Sequence, residues 1–327
     1  MNNLPDAKLF AVLPHSFAIH LAGTDAAKVV NNLSTNDISK LATGETCETL
    51  ITDARGWVVA HAGVVKRQHG VWLLGSHPEP SQIANHLDRY IIREAAVVDD
   101  RSAELALYTL HENTHHNHSA AAGAQTPTSL PAPSAATEPT LAGPQSLADS
   151  LDLAKLSTSA FTCPLPVWGP GTQLLCCPRP QAGDVINRLR EHGFVQCDQN
   201  QFEWLRVTHF WPQQPTDFGN KTIPQELDRD QQAISFTKGC YLGQETIARL
   251  DARGQLQKKL CLVELDAAGQ YASGDALHSA EKEVGKITSL GSNPAQPQVH
   301  ALAYLRRGNF DIRTKLSCNG FSASVLR

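Results

Sequence analysis

Between positions 236 and 245 the chain reads Phe236-Thr237-Lys238-Gly239-Cys240-Tyr241-Leu242-Gly243-Gln244-Glu245. That run sets a cation, a thiol, a phenol, a carboxamide and a carboxylate around two glycines, more polar types than a core-filling stretch needs. Gly239 and Gly243 permit positive φ or a close approach of backbone to a ligand. Gln244 to Leu250 then reads as a short helix, with Glu245 in the first turn, where the positive end of the dipole favours a carboxylate. Cys240 would stand just ahead of that helix and beside Lys238. Both neighbours favour thiolate, and so nucleophilic or redox chemistry. A cysteine simply buried in a glycine-shaped turn remains the competing reading.

Elsewhere the chemistry is sparse. The eight cysteines, at 47, 163, 176, 177, 197, 240, 261 and 318, form no Cys-x-x-Cys pair, so neither a zinc ribbon nor a thioredoxin-like couple is offered. They read as reduced thiols of a cytoplasmic protein. Cys176 and Cys177 lie in a strand candidate, Leu174 to Cys177, and would face opposite sides of it; no metal site is expected. Walker A, Gly-x-Gly-x-x-Gly, His-Glu-x-x-His and Gly-x-Ser-x-Gly patterns are all missing, which removes the usual NTPase, dinucleotide, zinc-hydrolase and serine-hydrolase readings. A cysteine hydrolase using His209, His278 or His300 as base has no local support. With 28 basic and 32 acidic residues the net charge is −4, which gives no footprint for direct nucleic-acid binding. Neither a signal peptide nor an apolar run long enough for a bilayer is expected.

The elements that must position the 236–245 stretch follow from periodicity. Leu9 to Leu13 and Ala18 to Leu21 read as strands. Thr24 and Asp25 can cap a helix with Ala26, Val29, Val30 and Leu33 on its apolar face. A polar turn, Ser34 to Ile38, follows. Thr49 to Thr52, Trp57 to Val65 and Val71 to Leu74 read as strands, then a helix after Pro80 with Ile83, Leu87, Tyr90 and Ile91 inward, then a strand over Ala95 to Val98. From about residue 111 to 159 the chain turns to Ala, Pro, Ser, Thr and Gly, a low-complexity insert that cannot offset its ordering entropy; His115, His116 and His118 lie in it as loop histidines. Asp184 is expected to cap a helix through Leu189, and Gln201 to Val207 forms another, leading to a polar loop with Gln225 and Glu226. Four short strands, 260–265, 284–290, 299–305 and 321–326, argue a small antiparallel barrel or sandwich.

Lys238-Gly-Cys-Tyr-x-Gly-Gln-Glu245 resembles the signature of the YgfZ-type folate-binding family, relatives of the glycine-cleavage T-protein (aminomethyltransferase). The resemblance extends to Gly23-x-Asp-Ala, to Leu33-x-Thr-Asn-Asp-Ile38 and to Pro224-Gln-Glu, and covers roughly residues 18–100 and 202–307. It implies an α+β, three-lobed cloverleaf. Residues 1–255 would form a folate-binding region of two interleaved α+β lobes carrying the insert, and residues 256–327 a C-terminal antiparallel β-barrel.

The resemblance also implies tetrahydrofolate as cofactor, with Asn36, Asp37, Arg206, Gln225, Glu226, Gly239, Tyr241, Gly243, Gln244 and Glu245 around it, and Cys240 and Lys238 as the chemically essential pair. The function implied is that of a folate-linked accessory protein supporting iron–sulfur cluster assembly or repair and the associated tRNA modification, with iron–sulfur client or assembly proteins as partners. A lone thiol does not itself build a cluster, which usually takes four ligands. Two departures bear on the alternatives. Ala60-His61 stands where the aminomethyltransferase carries acidic residues, which weighs against a one-carbon transferase of that kind. Thr208 stands where it carries a pterin-gripping glutamate, which weighs towards a scaffold that binds partners without the ligand.

Overall fold

The computed structural model describes residues 8–112, 151, 160–253, 256–293 and 298–327. Most of the expected insert, including His115, His116 and His118, lies outside them.

The chain begins in one sheet and builds a second before returning. Strand β1 (Leu9–Val12) is followed by β2 (Ser16–Ala22), helix α1 (Ala26–Leu33), β3 (Thr46–Thr52), β4 (Val58–Arg67), β5 (Gly70–Ser76), α2 (Pro80–Asp88) and β6 (Val97–Asp100). Strands β2 to β6 form an antiparallel sheet in the order β3-β4-β5-β2-β6. Alternation decides its faces. Phe17, Ile19 and Leu21 of β2 face α1 and α2, whereas Ala18, between them, joins Val65 and Leu74 against the other lobe. Asp25 occupies the N-cap position of α1 without capping it through its side chain; its carboxylate accepts instead from the Ala95 N–H at 2.8 Å. Helix α2 ends before Tyr90 and Ile91, and β6 runs two residues later than its sequence suggests.

Strand β7 (Leu105–His111) returns the chain to β1. With β8 (Phe161–Pro164), β9 (Thr172–Pro178) and β10 (Val195–Gln196) it forms the sheet β10-β1-β7-β9-β8. Every residue of β7 is buried. A strand covered on both faces has no alternation to read, which is why it escapes the sequence. Cys176 packs into the core shared with the first lobe and Cys177 into the opposite one. Helix α3 (Ala182–Glu191) starts from Gln181, with Asp184 in its first turn rather than capping it. Helix α4 (Gln199–Thr208) starts two residues earlier than its periodicity suggests, from a capping box between Asp198 and Gln201.

A one-turn helix α5 (Asp230–Ala233) and α6 (Gln244–Arg253) lead to β11 (Lys258–Leu265), β12 (Ala276–Ser279), β13 (Lys282–Ser292), β14 (Val299–Arg306), β15 (Lys315–Cys318) and β16 (Phe321–Val325). These six close into a barrel, β11-β14-β13-β12-β15-β16. The two four-residue strands, β12 and β15, are too short to announce themselves. The architecture is a three-lobed α+β cloverleaf, two interleaved lobes and a barrel. Leu50 and Val58, Val207 and Phe210, and Leu260, Leu262 and Leu302 meet in one apolar cluster between barrel, α4 and first lobe.

Candidate functional site

The residues around Cys240 are held by an ion at a helix end. Lys238 is 7% exposed. Its Nζ donates to the carbonyls of Asn31 (2.7 Å), Ser34 (2.8 Å) and Asn36 (2.6 Å). An ammonium has three donors, and all three are committed to the negative, C-terminal end of α1. Burial pulls the lysine down to about 8, against the opposing pull of Asp37 and Cys47. The rest of the segment is laced to the same turn. Leu242 N donates to Asn32 O at 2.8 Å, Ser235 N to Thr35 O at 2.9 Å, and Thr35 Oγ1 to Ala233 O at 2.5 Å. Asn36 Nδ2 donates to Glu48 O (2.8 Å) and Gln232 O (3.0 Å), and Thr52 Oγ1 to Leu242 O (2.7 Å). Two stretches 200 residues apart, 31–37 and 232–245, are thus one unit.

This lacing leaves Cys240 outward. It is exposed, while six of the other cysteines are buried and Cys47 is partly so. Burial pushes the thiols of Cys47, Cys163, Cys197 and Cys261 up to about 12. Cys240 borders a cleft of about 280 Å³ lined by Val29, Asn32, Leu33, Tyr90, Glu94, Tyr241 and Leu242. Lys238 turns its charge into α1, so its contribution to the thiol is to fix the loop that carries it. Its Nζ lies 4.9 Å from the Tyr241 ring centre, a cation–π contact.

The two glycines of the stretch differ. Gly243 has φ +81°, and a Cβ there would lie 2.6 Å from Asp53 O and from Gly56 Cα. The signature therefore seats on the Asp53–Gly56 turn, glycine against glycine. At Gly239 a Cβ would meet nothing within 4 Å. Gln244 opens α6, and Glu245 is exposed in its first turn.

The remaining expected residues fall in separate places. Asp37 Oδ1 accepts from Ser39 at 2.5 Å and Oδ2 faces Lys40 at 3.2 Å; the serine bond, then the lysine, hold its carboxyl low. Arg206 is 1% exposed. It donates to Asp217 (2.6 Å), Glu203 (2.5 Å), Ser289 (2.7 Å) and Trp211 O (2.9 Å), tying α4 to the barrel. Gln225 donates to Ile247 O at 2.7 Å, and its Oε1 is buried without a partner. Glu226 faces Lys258 at 3.5 Å. Thr208 Oγ1 lies 3.3 Å from His300 Nδ1.

Sequence reasoning missed a buried polar cluster. Glu48 receives Arg229 through both carboxylate oxygens, Nε at 2.7 Å. It also meets His61 Nε2 at 2.9 Å. His61 Nδ1 faces Pro212 O at 3.3 Å, and its ring lies tilted against Trp211 with centroids 4.3 Å apart. Burial opposes the charge on Glu48, but Arg229, with His61, outweighs it and holds the carboxyl at about 2. The signal was a lone acid, Glu48, in an otherwise apolar and threonine-rich strand.

The fold is that of the glycine-cleavage aminomethyltransferase. A solved aminomethyltransferase T of the glycine cleavage system from Bartonella henselae superposes with a TM-score of 0.77 over 98% of this chain and 85% of that one, at 13% identity. By sequence, the chain is similar to a protein of Arabidopsis thaliana described as a chloroplastic transferase, 24% identical over 315 residues, 90% of this chain and 64% of that protein. It is also 36% identical over 91 residues to the tRNA-modifying protein YgfZ of Aliivibrio fischeri, a match spanning 28% of each chain. No protein-family profile matches. The chain thus has the aminomethyltransferase fold and is similar to YgfZ over about a quarter of its length.

Proposed function

We propose that this protein is a folate-linked accessory factor of the YgfZ type, acting in the cytoplasm to support iron–sulfur protein maturation and the tRNA modification that depends on it. Cys240 is its reactive thiol. The observation that carries the reading is the Lys238 anchor: three carbonyls of the 31–36 turn fix a loop whose thiol is the one exposed cysteine of eight. An inert structural cysteine has no use for that presentation. Among the described residues no helix is long and apolar enough to cross a membrane.

A reduced folate fits part of the expected residue set. The Gln225 Oε1 and Asp230 Oδ1 atoms are buried acceptors without partners, suited to the N–H-rich edge of a pterin. Asp230 lines a cavity of about 430 Å³ with Asp228, Gln231, Gln232 and Arg327. Burial, then Asp228 and Asp251, lift its carboxyl to about 6, so it can accept or donate. Asn36 and Arg206, by contrast, are committed to protein partners and act as supports. Bound tetrahydrofolate supplies one-carbon or reducing chemistry. This chain's residues orient it and present the thiol.

The transferase alternative has less support, because His61 is engaged on both sides by Glu48 and Pro212. A ligand-free scaffold draws on Thr208, whose hydroxyl meets His300. Titration of the purified protein with tetrahydrofolate, followed by calorimetry, tests the reading. Saturable micromolar binding supports it, and no binding at millimolar folate favours the scaffold.

A further inference from the structure

Of the eight residues that line the cleft beside Cys240, Glu94 alone is charged. Its carboxylate is fixed in place. Glu94 Oε2 accepts from the backbone N–H groups of Ile92 and Arg93, each at 3.1 Å, which leaves Oε1 clear of both amides. Those bonds, then the nearby Lys28, hold the carboxyl below its ordinary range. Tyr90, also in the lining, is tied to the loop that carries the thiol. Leu242 O accepts from Thr52 Oγ1, and Thr52 O faces His86 Nε2 at 3.0 Å. The Tyr90 ring meets the His86 ring edge-on, with centroids 5.3 Å apart. Lys238 already lies over Tyr241 at 4.9 Å, so Tyr90 is the ring left for a second cation.

Each part of the lining selects one feature of a ligand. The carboxylate and the Tyr90 ring favour an ammonium. Val29, Leu33 and Leu242 favour a short carbon body. The thiol exchanges with a disulfide. Size narrows the choice further. The cleft holds about 280 Å³, at the small end for ligand sites, and a round space of that volume is about 8 Å across. A two-carbon aminothiol sets its sulfur about 4 Å from its nitrogen. With a disulfide bond of about 2 Å at one end and a charge-assisted hydrogen bond of about 2.8 Å at the other, it matches that span.

We propose that this cleft recognises small aminothiol disulfides, with Glu94 and Tyr90 taking the ammonium and Cys240 exchanging with the disulfide. The proposal rests on the reading of Cys240 as a reactive thiol. Once its proton has passed to solvent, the Cys240 thiolate attacks one sulfur of the disulfide. A bond from Cys240 Sγ to that sulfur forms as the ligand's own S–S bond breaks. The departing sulfur keeps the electron pair, leaves as an aminothiolate and takes a proton from water. Cys240 is oxidised to a mixed disulfide, and the released half of the ligand is reduced. Glu94 touches only the ammonium, so it sets which disulfide is chosen. The mixed disulfide is reversible by any thiol, and while it lasts it caps the one exposed cysteine.

The test reacts the full chain with three reagents: cationic cystamine, neutral hydroxyethyl disulfide and anionic dithiodipropionate. Mass spectrometry with peptide mapping follows the adduct at Cys240, in the folded chain and in the same chain unfolded in urea. Dividing the folded rate by the unfolded rate removes each reagent's intrinsic reactivity. That ratio should be about fivefold higher for cystamine than for the neutral reagent, lowest for the anionic one, and the preference should shrink in about 1 M salt. Glu94→Gln keeps an oxygen for the Ile92 and Arg93 amides. It should bring cystamine level with the neutral disulfide and leave the neutral rate unchanged, whereas a merely structural role would alter both. Equal ratios for the three reagents, or a cystamine preference that survives Glu94→Gln, would overturn the proposal while leaving the thiol reactive. A folded chain whose Cys240 reacts with none of the three would remove the reactive thiol and this proposal with it.

Discussion

Replacing Lys238 with methionine keeps most of the side chain's bulk and removes the charge that seals α1. Three hydrogen bonds from a charged donor contribute about 1.5–3 kcal/mol each. Burying the ammonium offsets about 3 kcal/mol of that, the equivalent of its fall from the ordinary 10.5 to about 8. The net loss expected in Lys238→Met is about 3 kcal/mol, with three carbonyls of the 31–36 turn left facing a methyl group. Urea unfolding would register it as a lower midpoint. Amide exchange would localise it: the Leu242 and Ser235 N–H groups, paired with Asn32 O and Thr35 O, should exchange about a hundredfold faster, while amides of the barrel strand β14 change far less. A stability within about 0.5 kcal/mol of wild type, with unaltered exchange at Leu242 and Ser235, would refute the claim that the lysine holds this loop.

Other consequences follow from the same geometry. Gly243→Ala forces a side chain into a positive-φ position 2.6 Å from Asp53 O and should cost at least about 2 kcal/mol, whereas Gly239→Ala, facing open space, should leave the melting temperature almost unchanged. Arg229→Met strands the buried Glu48 carboxylate and should cost about 3–5 kcal/mol at pH 7 by urea unfolding. Glu48 sits at about 2, below its ordinary 4.5, so its contribution is full above pH 4.5 and is lost as pH falls towards 2. Stability in wild type should therefore drop across that window, and the drop should shrink in Arg229→Met.

The elements that read most clearly in the sequence were those with one wet face. Helix α1, with Val29, Val30 and Leu33 inward, declares itself by period. Strand β7 does not, because its seven residues are buried on both sides, and β12 and β15 are too short to carry a pattern. The stretch 236–245 stood out by composition, and so did its likeness to a family motif. What the sequence could not show was where Lys238 points. Its partners are backbone carbonyls about 200 residues earlier, and carbonyls carry no sequence signal. The Glu48–Arg229 pair was hidden for a related reason: each residue is an ordinary charge until folding places one on the other. Arg206 and Asn36 were placed by resemblance around a ligand, yet their donors meet protein atoms, which shows how a binding motif and a bracing motif can share residues.

The central claim is that the fold exists to present one thiol. The most direct measurement is the activity of an iron–sulfur-dependent tRNA-modifying enzyme in cells that lack this protein and are supplied with either wild type or Cys240→Ala, alongside the melting temperature of the purified variant. Cys240 is exposed and borders a cleft rather than filling a core, so the account predicts a variant as stable as wild type that fails to restore activity. Full restoration by Cys240→Ala would contradict it.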